Sequence, residues 1–139
     1  MGVILDTAVL VAAERGTFDM PGYLVALGDE PVALAAISAS ELLHGVERAR
    51  DPAIRQRRSE FVEGVLANVP VIPFGLAEAR THARIWASLA AAGTPIGAHD
   101  LQVAATALAA ASAVATLNLD EFGRVPGISL APIAPYRRA

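Results

Sequence analysis

Cysteine is absent from the 139 residues, and so is lysine. The first absence excludes disulfides, thiolate metal sites and cysteine nucleophiles. The second excludes a P-loop, Schiff-base chemistry and any phosphotransfer centre that needs an ammonium group, because all 11 basic residues are arginine. No apolar run reaches the roughly 18 residues of a membrane span, since Arg, Glu, Asp or Gly interrupts each one. Nor does Met1 open a basic segment followed by an apolar stretch and a cleavage site, so no signal peptide is expected. A formal net charge of -3 offers nucleic acid no global attraction, and any such binding has to be local. What is abundant is apolar: hydrophobic residues make up 54%, with a mean hydropathy of +0.45. These values are rich for a soluble monomer and point to a cytoplasmic protein that hides apolar surface in an oligomer. Residues 1–139 are expected to form one domain with a real core.

Short apolar runs alternate with helical patterns. VIL (3–5) reads as a strand ended by Asp6, and TAVLVAAE (7–14) as a helix closed near Gly16. PGYLVALGD (21–29) predicts a second helix, VALAAI (32–37) a buried strand, and SASELLHGVERAR (38–50) a helix opened by a capping box of Ser38 and Glu41. Residues 51–69 carry an apolar stripe (Ile54, Phe61, Val62, Val65, Leu66) opposite charge. VPVIPF (69–74) is an edge strand limited by Pro70 and Pro73, and residues 75–93 form another helix. PIGAHDLQVAATALAA (95–110) opens a nearly all-apolar helix with His99 and Asp100. AVATLN (113–118) reads as a strand, LDEF (119–122) as a turn or short helix, and ISLAPI (128–133) as a last strand. The alternation predicts a three-layer α/β/α domain around a mostly parallel sheet.

Taken singly, each acid has a structural explanation. Asp6 suits an N-cap, Glu41 a capping box, Asp100 the dipole of a first helical turn, and Asp120 and Glu121 a solvated turn. Their placement together says more. Asp6, Glu41 and the 118–121 cluster each follow a candidate strand, and Asp100 opens a helix. In open α/β sheets the carboxyl ends of the strands form the ligand crevice. Carboxylates converging there repel unless a cation lies among them, and no lysine exists to supply it. A hard divalent ion is the economical counter-charge, since Mg²⁺ and Mn²⁺ take carboxylate oxygens and keep waters that a phosphate can replace. Such a centre suits phosphodiester hydrolysis with one or two ions.

With LDT, SASELLHG, PIGAHDLQVAATAL and TLNLDEFGRVPGI in this order, the chain resembles the PIN-domain family, and within it the VapC toxins of bacterial toxin–antitoxin pairs. The resemblance spans nearly the whole length. It implies a PIN fold and a Mg²⁺-dependent endoribonuclease, with Mn²⁺ as substitute, that cleaves RNA phosphodiester bonds and inhibits translation and growth. It also implies a homodimer and a cognate VapB-like antitoxin, assembled as a heterotetramer or larger. By position, Asp6 matches the family's first acid, Glu41 the second and Asp100 the third, while Thr7 and Ser40 stand where hydroxyls support the site. Asp6 and Asp100 would bind the principal ion, with Glu41 a ligand through water or a general base. At the fourth position the chain departs from the commonest pattern: either Asn118 serves as a neutral oxygen ligand or Asp120 reaches in. Asp120 is preferred, for a second ion or for orienting water.

Other residues carry less. His99 is read as a loop residue rather than a ligand, His44 and His82 as structural, and Trp86 and Phe61 as core. Arg48, Arg50, Arg55, Arg57 and Arg58 form the densest basic cluster, read equally as a solvated helix face or as RNA contacts, Arg48, Arg50 and Arg55 foremost. A haloacid-dehalogenase-type phosphatase needs an Asp where Ala8 stands, and a lysine; a receiver domain fails on the same lysine. A catalytically inactive PIN-like binding module stays open because Asn118 is neutral.

Overall fold

Val3, Ile4 and Leu5 are all buried, which three consecutive strand residues achieve only in a sheet covered on both faces. The computed structural model describes residues 1–139 and places them there. Strand β1 (Val3–Leu5) pairs with β2 (Val32–Ala35) on one side and β4 (Ala113–Ala115) on the other, and β2 pairs with β3 (Val71–Ile72). The order is β3-β2-β1-β4 and every pairing is parallel. Alternate residues therefore serve different layers. Val3, Leu5, Leu34, Ala113 and Ala115 join a cluster with α1 (Thr7–Glu14), α2 (Met20–Leu27), α3 (Ala36–Arg48) and α4 (Pro52–Asn68). Ile4, Ala35 and Val114 face the other way, onto α5 (Leu76–Ala92) and α6 (Ala98–Ala109). The result is the three-layer α/β/α architecture the alternation predicts.

Local chemistry sets the helix ends. Asp51 accepts from the N–H groups of Ala53 (2.8 Å) and Ile54 (3.1 Å), with Pro52 pre-set in the first turn. Glu78 reaches back to the Gly75 N–H at 2.8 Å, and Gly93 closes α5 at φ 71, a left-handed position natural to glycine. The last helical turn, α7 (Leu119–Phe122), is anchored by Phe122, which is fully buried; burying such a side chain contributes roughly 1.5–3 kcal/mol. A 3-10 turn (Ala134–Tyr136) ends the fold. No helix is long and apolar enough to cross a membrane.

Three expectations are corrected. Helix α3 starts at Ala36, directly off β2, so Ser38 is no cap: it lies buried inside the helix with an unpartnered hydroxyl. Residues 128–133 make no strand. Val114 donates to Ser129 O and Ala131 donates to Val114 O, both at 2.8 Å, forming one parallel bridge with Leu130. Pro132 follows with no N–H to extend it. Trp86 is 61% exposed rather than core, on the outer side of α5 in edge contact with His82.

Candidate active site

All-parallel pairing points the carboxyl ends of the four strands to one edge, and each chain exit there delivers polar side chains. At the end of β1, Asp6 caps α1 and is almost fully buried. Its Oδ1 accepts from the Thr7 N–H at 2.9 Å, and its Oδ2 accepts from the Thr116 hydroxyl at 2.8 Å. Thr116 follows β4 immediately, and its Oγ1 also accepts from the Asn118 N–H at 2.9 Å. The two strand ends are thus tied together through one carboxylate. Glu41, one turn and a half into α3, accepts from the Thr7 hydroxyl at 2.8 Å. The imidazole Nδ1 of His99 stands 3.4 Å from the other Glu41 oxygen.

Asp100 enters from the first turn of α6. The Asn118 amide donates to Asp100 Oδ2 at 3.1 Å and to Glu121 Oε2 at 3.0 Å, so one neutral NH₂ group stands between two acids. Asp6, Thr7, Glu41, Asp100 and Asn118 line a cleft of about 540 Å³, with Arg15 at its wall. None of the five ion pairs in the molecule reaches Asp6, Asp100 or Glu121.

Electrostatics register this crowding. Burial pushes the Asp6 carboxyl above its ordinary range, against the pull of Thr116 and Thr7, and the Glu41 charge pushes the same way. Asp100 is pushed up to about 6, first by burial, then by sharing a proton with Glu121 and by the charge of Asp6; Asn118 opposes. Glu121 moves down, because Asp100 and Asn118 both donate to its carboxylate. Asp100 is thus the more readily protonated of the pair and Glu121 the more readily ionised.

The donor set is all oxygen, carboxylates with hydroxyl support and no sulfur, which suits a hard divalent ion rather than a soft one. Raised carboxyls with no basic partner are what such an ion would relieve. As the side chains stand, no three acids or histidines form a ready ligand cluster, and the Asn118 amide holds the space between Asp100 and Glu121. The residues fit such an ion in the chemistry of their donor atoms.

The structure brings together Asp6, Glu41, Asp100, Thr7 and Asn118. Asp120, the preferred fourth acid, is not among them. Its side chain is 89% exposed and pairs with Arg124 at 3.1 Å. Successive helical residues diverge by about 100°, so burying Phe122 fixes the rotation of α7, turning Glu121 inward and Asp120 out. Ser40 is exposed and does not line the cleft. Arg48 lines a neighbouring cavity, whereas Arg55 pairs with Glu47 at 3.2 Å outside it, and Arg50 lines neither. Sequence reasoning missed Thr116, Glu121 and the proximity of His99 to Glu41. The aromatic next to Glu121 was the available signal, since it must be buried.

Residues 3–128 match the PIN-domain family, described as "PIN domain". Ribonuclease VapC of Rickettsia bellii is 33% identical over 130 residues, covering 94% of this chain and 95% of that one. A Salmonella typhimurium protein named tRNA(fMet)-specific endonuclease VapC is 33% identical over 104 residues, 75% of this chain and 76% of its own. Among solved structures, VapBC2 from Rickettsia felis, bound to a DNA fragment from its promoter, superposes with a TM-score of 0.86 at 25% identity, covering 94% and 98% of the two chains.

Proposed function

The chain belongs to the PIN-domain family, and from that membership we propose that it is a metal-dependent endoribonuclease, the toxin of a VapBC-type pair. The observation that carries the reading is the convergence of Asp6, Glu41, Asp100 and Glu121 at one sheet edge with no basic side chain paired to Asp6, Asp100 or Glu121. Asp6 and Asp100 would hold the principal ion, Mg²⁺ with Mn²⁺ as substitute. Glu121, in the role first given to Asp120, would support a second ion or orient the attacking water. When bound, the ion would lower the pKa of its water and neutralise charge on the phosphodiester.

The chain's own residues do the rest. Thr116 holds Asp6 at a fixed angle through its hydroxyl, and Thr7 does the same for Glu41. Glu41, held beside the cleft, would accept the proton of the attacking water as its oxygen bonds to phosphorus and the bond to the leaving oxygen breaks, that oxygen taking a proton from solvent. Asn118 keeps Asp100 and Glu121 from springing apart before the ion arrives. Cleavage of cellular RNA by this site would inhibit translation and growth. A transfer RNA, the substrate class in the name of the Salmonella relative, is the first to test.

The likeness to a VapBC complex supports a VapB-like antitoxin as partner. Homodimers, paired with antitoxin into a heterotetramer or larger, are the proposed assembly. Exposed apolar side chains on α5, Leu76 at 69% and Trp86 at 61%, support self-association. Titration calorimetry with Mn²⁺, and RNA cleavage with and without EDTA, test the function. Wild type should bind the ion and cut only when it is present. Asp6→Ala should abolish binding, and Asp100→Asn should lower cleavage at least ~10²-fold. Equal Mn²⁺ binding by wild type and Asp6→Ala, with no cleavage, would instead indicate an inactive binding module.

A further inference from the structure

The acidic cleft does not end at Glu41. A second cavity of about 360 Å³ opens beyond it and shares Thr7, Val11, Arg15 and Glu41 with the cleft. Its walls carry Arg15 at the end of α1, Arg48 at the last residue of α3, and Arg58 of α4. The carboxylates there are already engaged. Glu14 lies 3.6 Å from Arg58 Nε, and Glu41 is held by Thr7 and His99. Arg58 also donates to Gly45 O at 3.0 Å, which pins it against α3. Arg15 and Arg48, by contrast, are exposed and pair with no carboxylate of the chain.

We propose that Arg15 and Arg48 form a subsite for a phosphate of single-stranded RNA flanking the bond cut at the carboxylates, and so set the path of the strand across the site. The proposal rests on the nuclease reading above. A chain of net charge -3 needs local attraction to hold a polyanion, and carboxylates alone would repel it. A strand whose scissile phosphate sits at Asp6 and Asp100 must leave the cleft, and this continuous opening offers guanidinium forks suited to phosphate oxygens. An acidic peptide offers similar oxygens, but it has no reason to pass through the cleft. Arg15 and Arg48 act here as positioning residues.

The test pairs fluorescence anisotropy of a labelled single-stranded RNA in EDTA with cleavage kinetics in Mg²⁺. For the Arg15→Ala/Arg48→Ala double variant, Kd and KM should each rise about 10-fold, the scale of one charge-assisted contact, with kcat held within about twofold. The slope of log Kd against log salt should shrink by about 0.7, one phosphate neutralised on a single strand. Lysine at both positions should restore most of the binding, and Arg55→Ala, outside the groove, should leave the slope unchanged. Unchanged Kd, KM and slope in the double variant would overturn the subsite while leaving the nuclease intact. RNA binding as in wild type, with lost binding of an Asp/Glu-rich peptide, would overturn it in favour of a protein partner. A wild type that neither binds nor cuts RNA would overturn the subsite together with the nuclease reading.

Discussion

Asp100 and Glu121 face each other across the Asn118 amide, and burial decides which of them ionises more readily. Asp100 is partly buried and faces Asp6, so its ionised form is disfavoured; Glu121 is open to water and accepts hydrogen bonds, so it stays ionised. On the nuclease reading a cation would favour the ionised form of both acids, so both are expected to matter and Asp120 is not. Glu121→Gln should lower metal-dependent RNA cleavage on the order of 10²-fold, while Asp120→Asn, which loses only an exposed pair with Arg124, should stay within about twofold. Single-turnover cleavage of one RNA by the two variants separates them. Equal losses would show that α7 turns in solution and that either acid can serve.

Elements deliver the site by their ends. Strand β4 is only three residues long, yet the residue after it, Thr116, joins it to the end of β1 through Asp6 and caps the turn into α7 through the Asn118 N–H. Thr116→Val keeps the shape and removes the hydroxyl. It leaves a buried carboxylate oxygen and a backbone N–H unpartnered, at a cost of about 1–3 kcal/mol each. Urea unfolding should record that loss, and cleavage should fall about 10-fold because Asp6 is free to turn. Thr116→Ser should recover both. A variant that is destabilised yet fully active would reduce the residue to a structural tie. The same reasoning explains α3: by starting at Ala36 it buries Ser38 and presents Glu41 to Thr7 a turn later than a cap at Ser38 would.

At the scale of the whole molecule, the acidic edge costs stability that a cation would return. A carboxyl whose folded pKa lies above its unfolded value binds more protons folded than unfolded, so stability is present below the window and lost as pH rises through it. For Asp100 the window runs from 3.8 to about 6, and Asp6 shifts the same way. Glu121 shifts oppositely but is exposed and weighs little. Metal-free protein should therefore lose stability relative to Asp100→Asn between about pH 4 and about pH 7, by on the order of 1 kcal/mol after screening by solvent. Thermal melts of the two proteins across that range give the difference directly. Adding Mn²⁺ should raise the wild-type Tm more at pH 7 than at pH 5, because the ion needs the carboxyl ionised. A flat difference without metal would mean that Asp100 ionises freely.

The sequence by itself determined the layers and most of the acids. Apolar runs too short for anything but buried strands, alternating with helical stripes, leave few ways to fold, and Asp6, Glu41 and Asp100 sit where those elements begin or end. Only the tertiary structure decided which acid of α7 turns towards Asn118 and Asp100, because Asp120 and Glu121 are one residue apart and their directions depend on which face of α7 Phe122 must bury. It also decided that Trp86 stays outside, that residues 128–133 end in one bridge, and that Arg15 and Arg48, 33 positions apart by number, meet in one groove. Periodicity reports which face of an element is apolar; which side chains then meet is set by packing between elements distant in the chain.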